Sequence, residues 1–203
     1  MDQRLIAWAR AVKRGPLPPL WFFTDATRAP DPLAAIAALP RGLCGVVFRH
    51  DAAPGRATLA RQVARLCRAR RLALVVAGDA GLAVSLRAGL HLRGGRQAGR
   101  VKPPKLRTAS AHNAAQAVRA RRAGAAAVFI SPIFSTASHP GAAGIGPFGW
   151  RRLARLAAPV SPFALGGISG RRIRALGPGC AGAAAIEALL APNGSKISYK
   201  KSR

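Results

Sequence analysis

"ISPIFSTASHPGAAGIGPFGW", residues 130–150, sets the reading of the whole chain. Ile130 lies near the end of an apolar run, Ala126–Ser131, that has strand length and stops at Pro132. The following loop is rich in Ser, Thr, His and Gly. Pro147-Phe148-Gly149-Trp150 then reads as a helix start, with proline suited to the first turn. A buried strand that opens into a polar glycine loop aims its backbone at something, and with the helix it makes one βα unit.

Working outward, the unit recurs. Strand-length apolar runs fall at Leu20–Thr24, Gly45–Phe48, Leu72–Ala77, Gly89–Leu92, Leu106–Ser110, Ala126–Ser131, Pro159–Leu165 and Ala181–Ile186. Between most of them lie helix-period segments: Pro32–Leu39, Thr58–Arg70, Ala80–Arg87, Asn113–Ala123, Phe148–Ala157 and Ser169–Leu176. Asn113 and Ser169 are N-cap candidates. Arg93–Lys105 has no apolar period and reads as a loop with at most one helical turn. Eight alternating units predict an α/β protein, a single (β/α)8 barrel over residues 1–190 with an extra N-terminal helix, Asp2–Lys13. An open doubly wound sheet is the alternative, but no GxGxxG follows the first strand. Residues 191–203, "APNGSKISYKKSR", are polar and basic, and a disordered tail is expected there.

Composition narrows the function classes. Half the residues are apolar while aromatics make up 5%, so the expected core is mainly Ala, Leu, Val and Ile. No apolar run reaches the roughly 18 residues needed to span a bilayer, which predicts no membrane partner. Cys44, Cys67 and Cys180 are an odd set without metal-type spacing, the pattern of buried thiols in a reducing, cytoplasmic compartment. Thirty-three basic residues against six acids give a net charge of +27. That excess raises a nucleic-acid binder as a reading. The arginines are spread along helices and aromatic stacking platforms are scarce, which counts against it. The acids Asp2, Asp25, Asp31, Asp51, Asp79 and Glu187 bound any metal hypothesis, because a magnesium site must draw its carboxylates from them.

In a barrel, function sits on the loops at strand C-termini, and phosphate often binds after the seventh and eighth strands. The seventh ends in "ALGGIS", where Gly166-Gly167 precede the Ser169 cap. Paired glycines let backbone N–H groups approach an anion, and a helix N-terminus adds its dipole.

From about Leu20 to Leu190 the chain resembles the thiamine phosphate synthase/TenI family, small (β/α)8 proteins acting on pyrimidine and thiazole phosphates. The matching pieces are "LWFFTD", "VVFR", "GLHL", "TASAH", "RRAGAAAVFISPIFSTASH", "FALGGIS" and "GCAGAAAIEAL", in order and at fitting spacing. The resemblance implies that the loop after the sixth strand contacts substrate and pyrophosphate. Its hydroxyls fall at Ser131, Ser135, Thr136 and Ser138, with His139 where the family has lysine. It further implies that Ser110, Thr136, Ser138, Gly166 and Gly167 bind the substrate phosphate. Arg49 and His139 are then the candidate catalytic residues.

Other family positions differ. The second strand keeps only Arg49 of Gln-x-Arg-x-Lys. Ala77 and Gly78 stand where Asn-Asp would hold magnesium, with Asp79 one position on as a substitute. The segment after His91 supplies no second acid, only Arg93, Arg96 and Arg100, candidates to replace the metal. Glu187 falls where a small hydroxyl residue is expected, and Pro132 where TenI-type isomerases carry histidine. His91 reads as a satisfied barrel-mouth residue and His112 as a second histidine at a strand end.

The expected protein is therefore thiamine phosphate synthase-like, with the phosphate half of its site kept and the magnesium–pyrophosphate half largely lost. Its expected partner is thiazole phosphate or thiamine phosphate. The alternatives are a non-catalytic phosphate binder, a TenI-like thiazole phosphate isomerase, and the nucleic-acid binder. A homodimer is left open, as is magnesium as cofactor.

Overall fold

Eight parallel strands pair in sequence order and close into a barrel, the first strand also pairing with the last. The computed structural model describes residues 1–12, 15–96, 102–135 and 143–190. The strands are β1 Leu20–Phe23, β2 Cys44–Phe48, β3 Ala73–Ala77, β4 Gly89–Leu92, β5 Arg107–Ala111, β6 Ala127–Ile130, β7 Ser161–Leu165 and β8 Gly182–Ala185. Each falls on an expected apolar run. The helices are α1 Gln3–Ala11, α2 Pro32–Ala38, α3 Arg56–Ala69, α4 Ala80–Ser85, α5 Ala114–Arg122 and α6 Gly146–Ala157. Among the described residues no helix is long and apolar enough to cross a membrane.

Local chemistry sets the helix starts. Asp2, Asp31, Asp79 and Asn113 each cap a helix by accepting a backbone N–H onto the side chain. Three of the six carboxylates in the chain are thus spent locally. Pro147 sits in the first turn of α6, as its fixed φ favours.

The buried core is mainly Ala, Leu, Val and Ile, as the composition predicts, and the aromatics gather in the barrel interior. Trp21, Phe23, Phe129 and Phe163 stack edge to face along it, with centroids 5.0–5.6 Å apart. Room for them comes from missing side chains opposite. A Cβ on Gly45 would lie 2.5 Å from the Trp21 ring, and one on Gly182 would lie 2.2 Å from Phe163. The aliphatic residues instead fill the layer between strands and helices, as in the buried faces of α3 and α6. The three cysteines are buried, and desolvation pushes each thiol up to about 12.

The segment Ser169–Leu176 corrects an expectation. Only Ile173–Leu176 is helical, as a 3-10 turn. Gly170 is pinned by its N–H bond to Asp2 Oδ2 at 2.8 Å, and a Cβ there would meet Arg4 at 2.4 Å. Gly177 at φ +77° followed by Pro178 stops the turn at the other end. Among the described residues after β8 there is likewise only a 3-10 turn, Glu187–Leu189. The start of α1 is bonded to both places, with Asp2 N–H donating to the Ala188 carbonyl at 2.7 Å. Helix α1 thereby buries Leu5, Ile6 and Ala9 beside the loops where seventh and eighth helices would begin.

Candidate functional site

The C-terminal ends of the strands surround a cavity of about 1240 Å³. Its lining includes Arg49 after β2, Ser110 on β5, and Gly166 and Gly167 after β7, so four sequence-predicted residues meet in one place. Thr136, Ser138, His139 and Arg100 lie outside the described residues, as does the 191–203 tail.

The glycine pair lies where expected, packed against the loop after β6. Both residues have positive φ, +93° at Gly166 and +63° at Gly167. A Cβ on Gly166 would lie 2.8 Å from Pro132 Cα, and one on Gly167 would lie 2.7 Å from the Ser135 carbonyl. The loop after β6 therefore lies directly on the β7 turn. Ile133 N–H donates to the Leu165 carbonyl and Phe134 N–H to the Gly166 carbonyl, both at 3.1 Å. Because the following helix is absent, its dipole is not available for an anion. A side chain stands there instead. Arg172 lines the cavity, places its guanidinium 5.3 Å over the Phe134 ring, and donates Nη1 to the Gly167 carbonyl at 3.2 Å. Glu187 is exposed at the same rim.

Ser110 is half-buried and accepts the Gly94 N–H at 3.1 Å, which ties the short turn after β4, Arg93–Gly95, to β5. His112, at the end of β5, has Nδ1 2.9 Å from the Ser131 carbonyl. A carbonyl only accepts, so Nδ1 carries the proton and Nε2 is left as an acceptor. His112 lines the cavity. His91 lies fully buried deeper in the mouth, its Nδ1 2.9 Å from Thr108 Oγ1 and its ring against Phe23. Burial, then the charges of Arg49 and Arg93, hold its pKa down to about 3, so it stays neutral.

The opposite side of the mouth is a mesh of charge. Arg49 donates Nε to the Thr24 carbonyl and Nη2 to Asp25 Oδ2, each at 3.1 Å, over the Phe23 ring. Burial lowers the Arg49 pKa, with Asp25 opposing the shift. Asp25 also takes the Arg28 guanidinium at 2.8 Å and the backbone N–H groups of Thr27 and Arg28. The Arg28 hydrogen bond is the main reason its carboxyl sits at about 2.

Asp79, the proposed substitute magnesium acid, is committed elsewhere. Its Oδ1 caps α4 at Leu82 and its Oδ2 accepts Arg56 Nη1 at 2.9 Å. Arg56 Nη2 reaches Asp51 at 3.2 Å, and Arg93 holds the other oxygen of Asp51. Among the described residues, no three His, Cys, Asp or Glu side chains converge as a metal site.

Sequence reasoning missed Arg28, Arg56 and Arg172. A signal existed for Arg56. It opens α3, where the dipole disfavours a cation, and such a residue needs acid partners. Placing the helix start at Thr58 left Arg56 in a loop and hid that signal.

Comparison with known proteins bears on the fold and the lineage. A profile for thiamine monophosphate synthase matches residues 21–189. A thiamine-phosphate synthase from Geobacillus kaustophilus is 37% identical over 117 residues, which cover 55% of this chain and 53% of that protein. The chain thus spans about half the length of that curated relative. A thiamine phosphate pyrophosphorylase from Pyrococcus furiosus superposes with a TM-score of 0.69 at 23% identity, covering 82% of this chain and 84% of the other. FabK from Thermotoga maritima gives 0.65 at 14% identity, over 93% of this chain and 62% of that one. At such identities the structural likeness speaks for the (β/α)8 fold.

Proposed function

The chain belongs to the thiamine monophosphate synthase family, and from that premise we propose that it binds a thiazole phosphate or thiamine phosphate at the barrel mouth, with the synthase reaction impaired or altered. The observation that carries this reading is the paired β6 and β7 loops. Gly166 and Gly167 hold the β6 loop close, and Arg172 and Ser135 line the same cavity. Arg172 supplies a charge-assisted contact where the helix dipole is missing. The three buried thiols support placement in a reducing cytoplasm.

Synthase chemistry joins a pyrimidine pyrophosphate to thiazole phosphate and expels pyrophosphate, so negative charge grows on the leaving group. The family resemblance implies magnesium for that task. The described residues do not fit it, because the Asp51 and Asp79 carboxylates already carry guanidinium and backbone partners. Among the described residues, Arg28, Arg49 and Arg93 are the cationic groups lining that side of the cavity. All three are fixed by acids, which orients them and also spends part of their charge.

The test is a coupled assay with the pyrimidine pyrophosphate and thiazole phosphate, with magnesium or chelator, together with thermal shift by thiazole phosphate. Stabilisation with little or no thiamine phosphate formed is the expected result. Rapid magnesium-dependent turnover overturns the impaired-catalysis reading, and no stabilisation by either phosphate overturns the ligand assignment.

One observation favours the isomerase alternative as a second reading. His112 Nε2 is an acceptor on a ring whose tautomer the Ser131 carbonyl fixes, as a proton-transfer group requires. Thiazole phosphate tautomerisation that disappears in His112→Asn, with ligand binding retained, supports this reading. Activity undiminished in that variant removes it.

A further inference from the structure

Arg56 occupies a position that is unfavourable three times over. It heads α3, against the helix dipole. Its side chain is 19% exposed, and its Nε is buried without a partner. The compensation lies in what it joins. Nη1 meets Asp79 Oδ2 at 2.9 Å, Nη2 meets Asp51 Oδ1 and the Ala77 carbonyl at 3.2 Å each, and the guanidinium lies 5.7 Å over the Phe48 ring. Two carboxylates from different loops are thus drawn onto one positive centre, the work a divalent cation does elsewhere. Neither acid has an oxygen to spare, since Arg93 takes Asp51 Oδ2 and the Leu82 N–H takes Asp79 Oδ1.

We propose that Arg56 is a built-in cation. It fills the electrostatic place of a divalent metal at the barrel mouth, so that phosphate and pyrophosphate groups are held there by guanidinium alone. Arg93 is the link to the ligand, because it grips Asp51 and also lines the cavity. A carboxylate-oriented guanidinium offers a fixed fork to a phosphoryl oxygen, whereas a hydrated magnesium ion must first be captured from solution. This inference rests on the phosphate-ligand reading above and adds to it how the negative charge is met.

The test uses the full chain and two probes, manganese followed by its spin resonance and inorganic pyrophosphate followed by calorimetry. The wild type is expected to take up no manganese saturably and to bind pyrophosphate as well in chelator as in magnesium. Arg56→Met keeps the packing over Phe48 while removing the charge. It is expected to gain a manganese site that a further Asp79→Asn change abolishes, and to bind pyrophosphate only when a divalent ion is present. Asn at position 79 keeps the cap on α4, so loss of the metal reports the missing charge.

If Arg56→Met does not fold, Arg56→Lys carries the same test. Its single ammonium cannot span both acids, and a weaker manganese site is expected. Saturable manganese binding by the wild type that Asp79→Asn removes overturns the proposal. So does an Arg56→Met variant that folds, takes no manganese and keeps its pyrophosphate affinity. Pyrophosphate binding by the wild type that requires magnesium overturns it while leaving the phosphate-ligand reading in place. No pyrophosphate binding under any condition overturns the proposal, while the phosphate-ligand reading stands or falls with the thermal shift by thiazole phosphate.

Discussion

The two halves of the barrel mouth are built by different forces. Over β1 to β4 the geometry is made by charges, with Asp25, Asp51 and Asp79 each gripped by at least one guanidinium. Over β5 to β8 it is made by close backbone approach, with Gly166 and Gly167 leaving no room for a Cβ against the β6 loop. The first half responds to pH and salt, because its parts attract through partly solvated charge. The second responds to shape. One cavity therefore joins an adjustable wall to a rigid one.

Four expected outcomes put that contrast to the test. The largest concerns the rigid wall. Gly167→Asp forces a side chain against the Ser135 carbonyl at a positive φ. A loss of about 3 kcal/mol is expected from overpacking and the left-handed backbone. Urea unfolding should give the same loss at low and high salt; a loss that salt erases would mean charge also governs this wall.

Next comes the adjustable wall. Asp25 titrates at about 2 in the fold against an ordinary 3.8, so the fold favours its charged form. That stability is present above about pH 4 and disappears as pH falls through about 2. Asp25→Asn should cost about 2 kcal/mol at neutral pH and flatten this acid limb, as read by denaturant midpoints across pH. An unchanged acid limb would show that other carboxyls set it.

A smaller effect is expected at the ligand. Arg172→Ala should weaken thiazole phosphate binding about tenfold, as loss of a charge-assisted contact does, with no change in thermal stability. Binding that is unaffected would leave the β7 loop without a phosphate role. The smallest is a gain. Glu187→Ser removes an exposed carboxylate from the same rim, and affinity should rise about threefold at low salt. No gain would place Glu187 away from the anion, and a gain that survives high salt would place it in direct contact.

The barrel was legible in the sequence because eight strand-length apolar runs alternate with helix-period segments, and glycine or proline closes several of the runs, as at Gly78, Pro132 and Gly166. The segment Ser169–Leu176 misled because its apolar spacing suits a helix, while the obstacle to one is a tertiary contact between Gly170 and α1. In the site, Arg49, Ser110, Gly166 and Gly167 were legible through their places at strand ends and the family resemblance. Their reasons were not. The close packing of the glycines against Pro132 and Ser135 depends on a loop from another strand. The role of Asp79 was equally hidden, since a residue one position from a metal-binding place looks usable until its partners are seen. Asp79 is distant in sequence from Asp51 and Arg56, and it meets them only when β2 and β3 lie side by side.

The seam of the barrel has a consequence for how the chain is made. β1 pairs with β8, and Asp2 bonds to both Ala188 and Gly170, so the first residues find their partners only among the last. During synthesis from the N-terminus, Leu5, Ile6 and Ala9 emerge long before the loops that cover them. The growing chain thus carries an uncovered apolar helix face and an unpaired edge of β1 until β8 has been made, the condition in which chains associate wrongly. Closure of the ring waits for β8, and it shelters α1 under the loops of the last two strands.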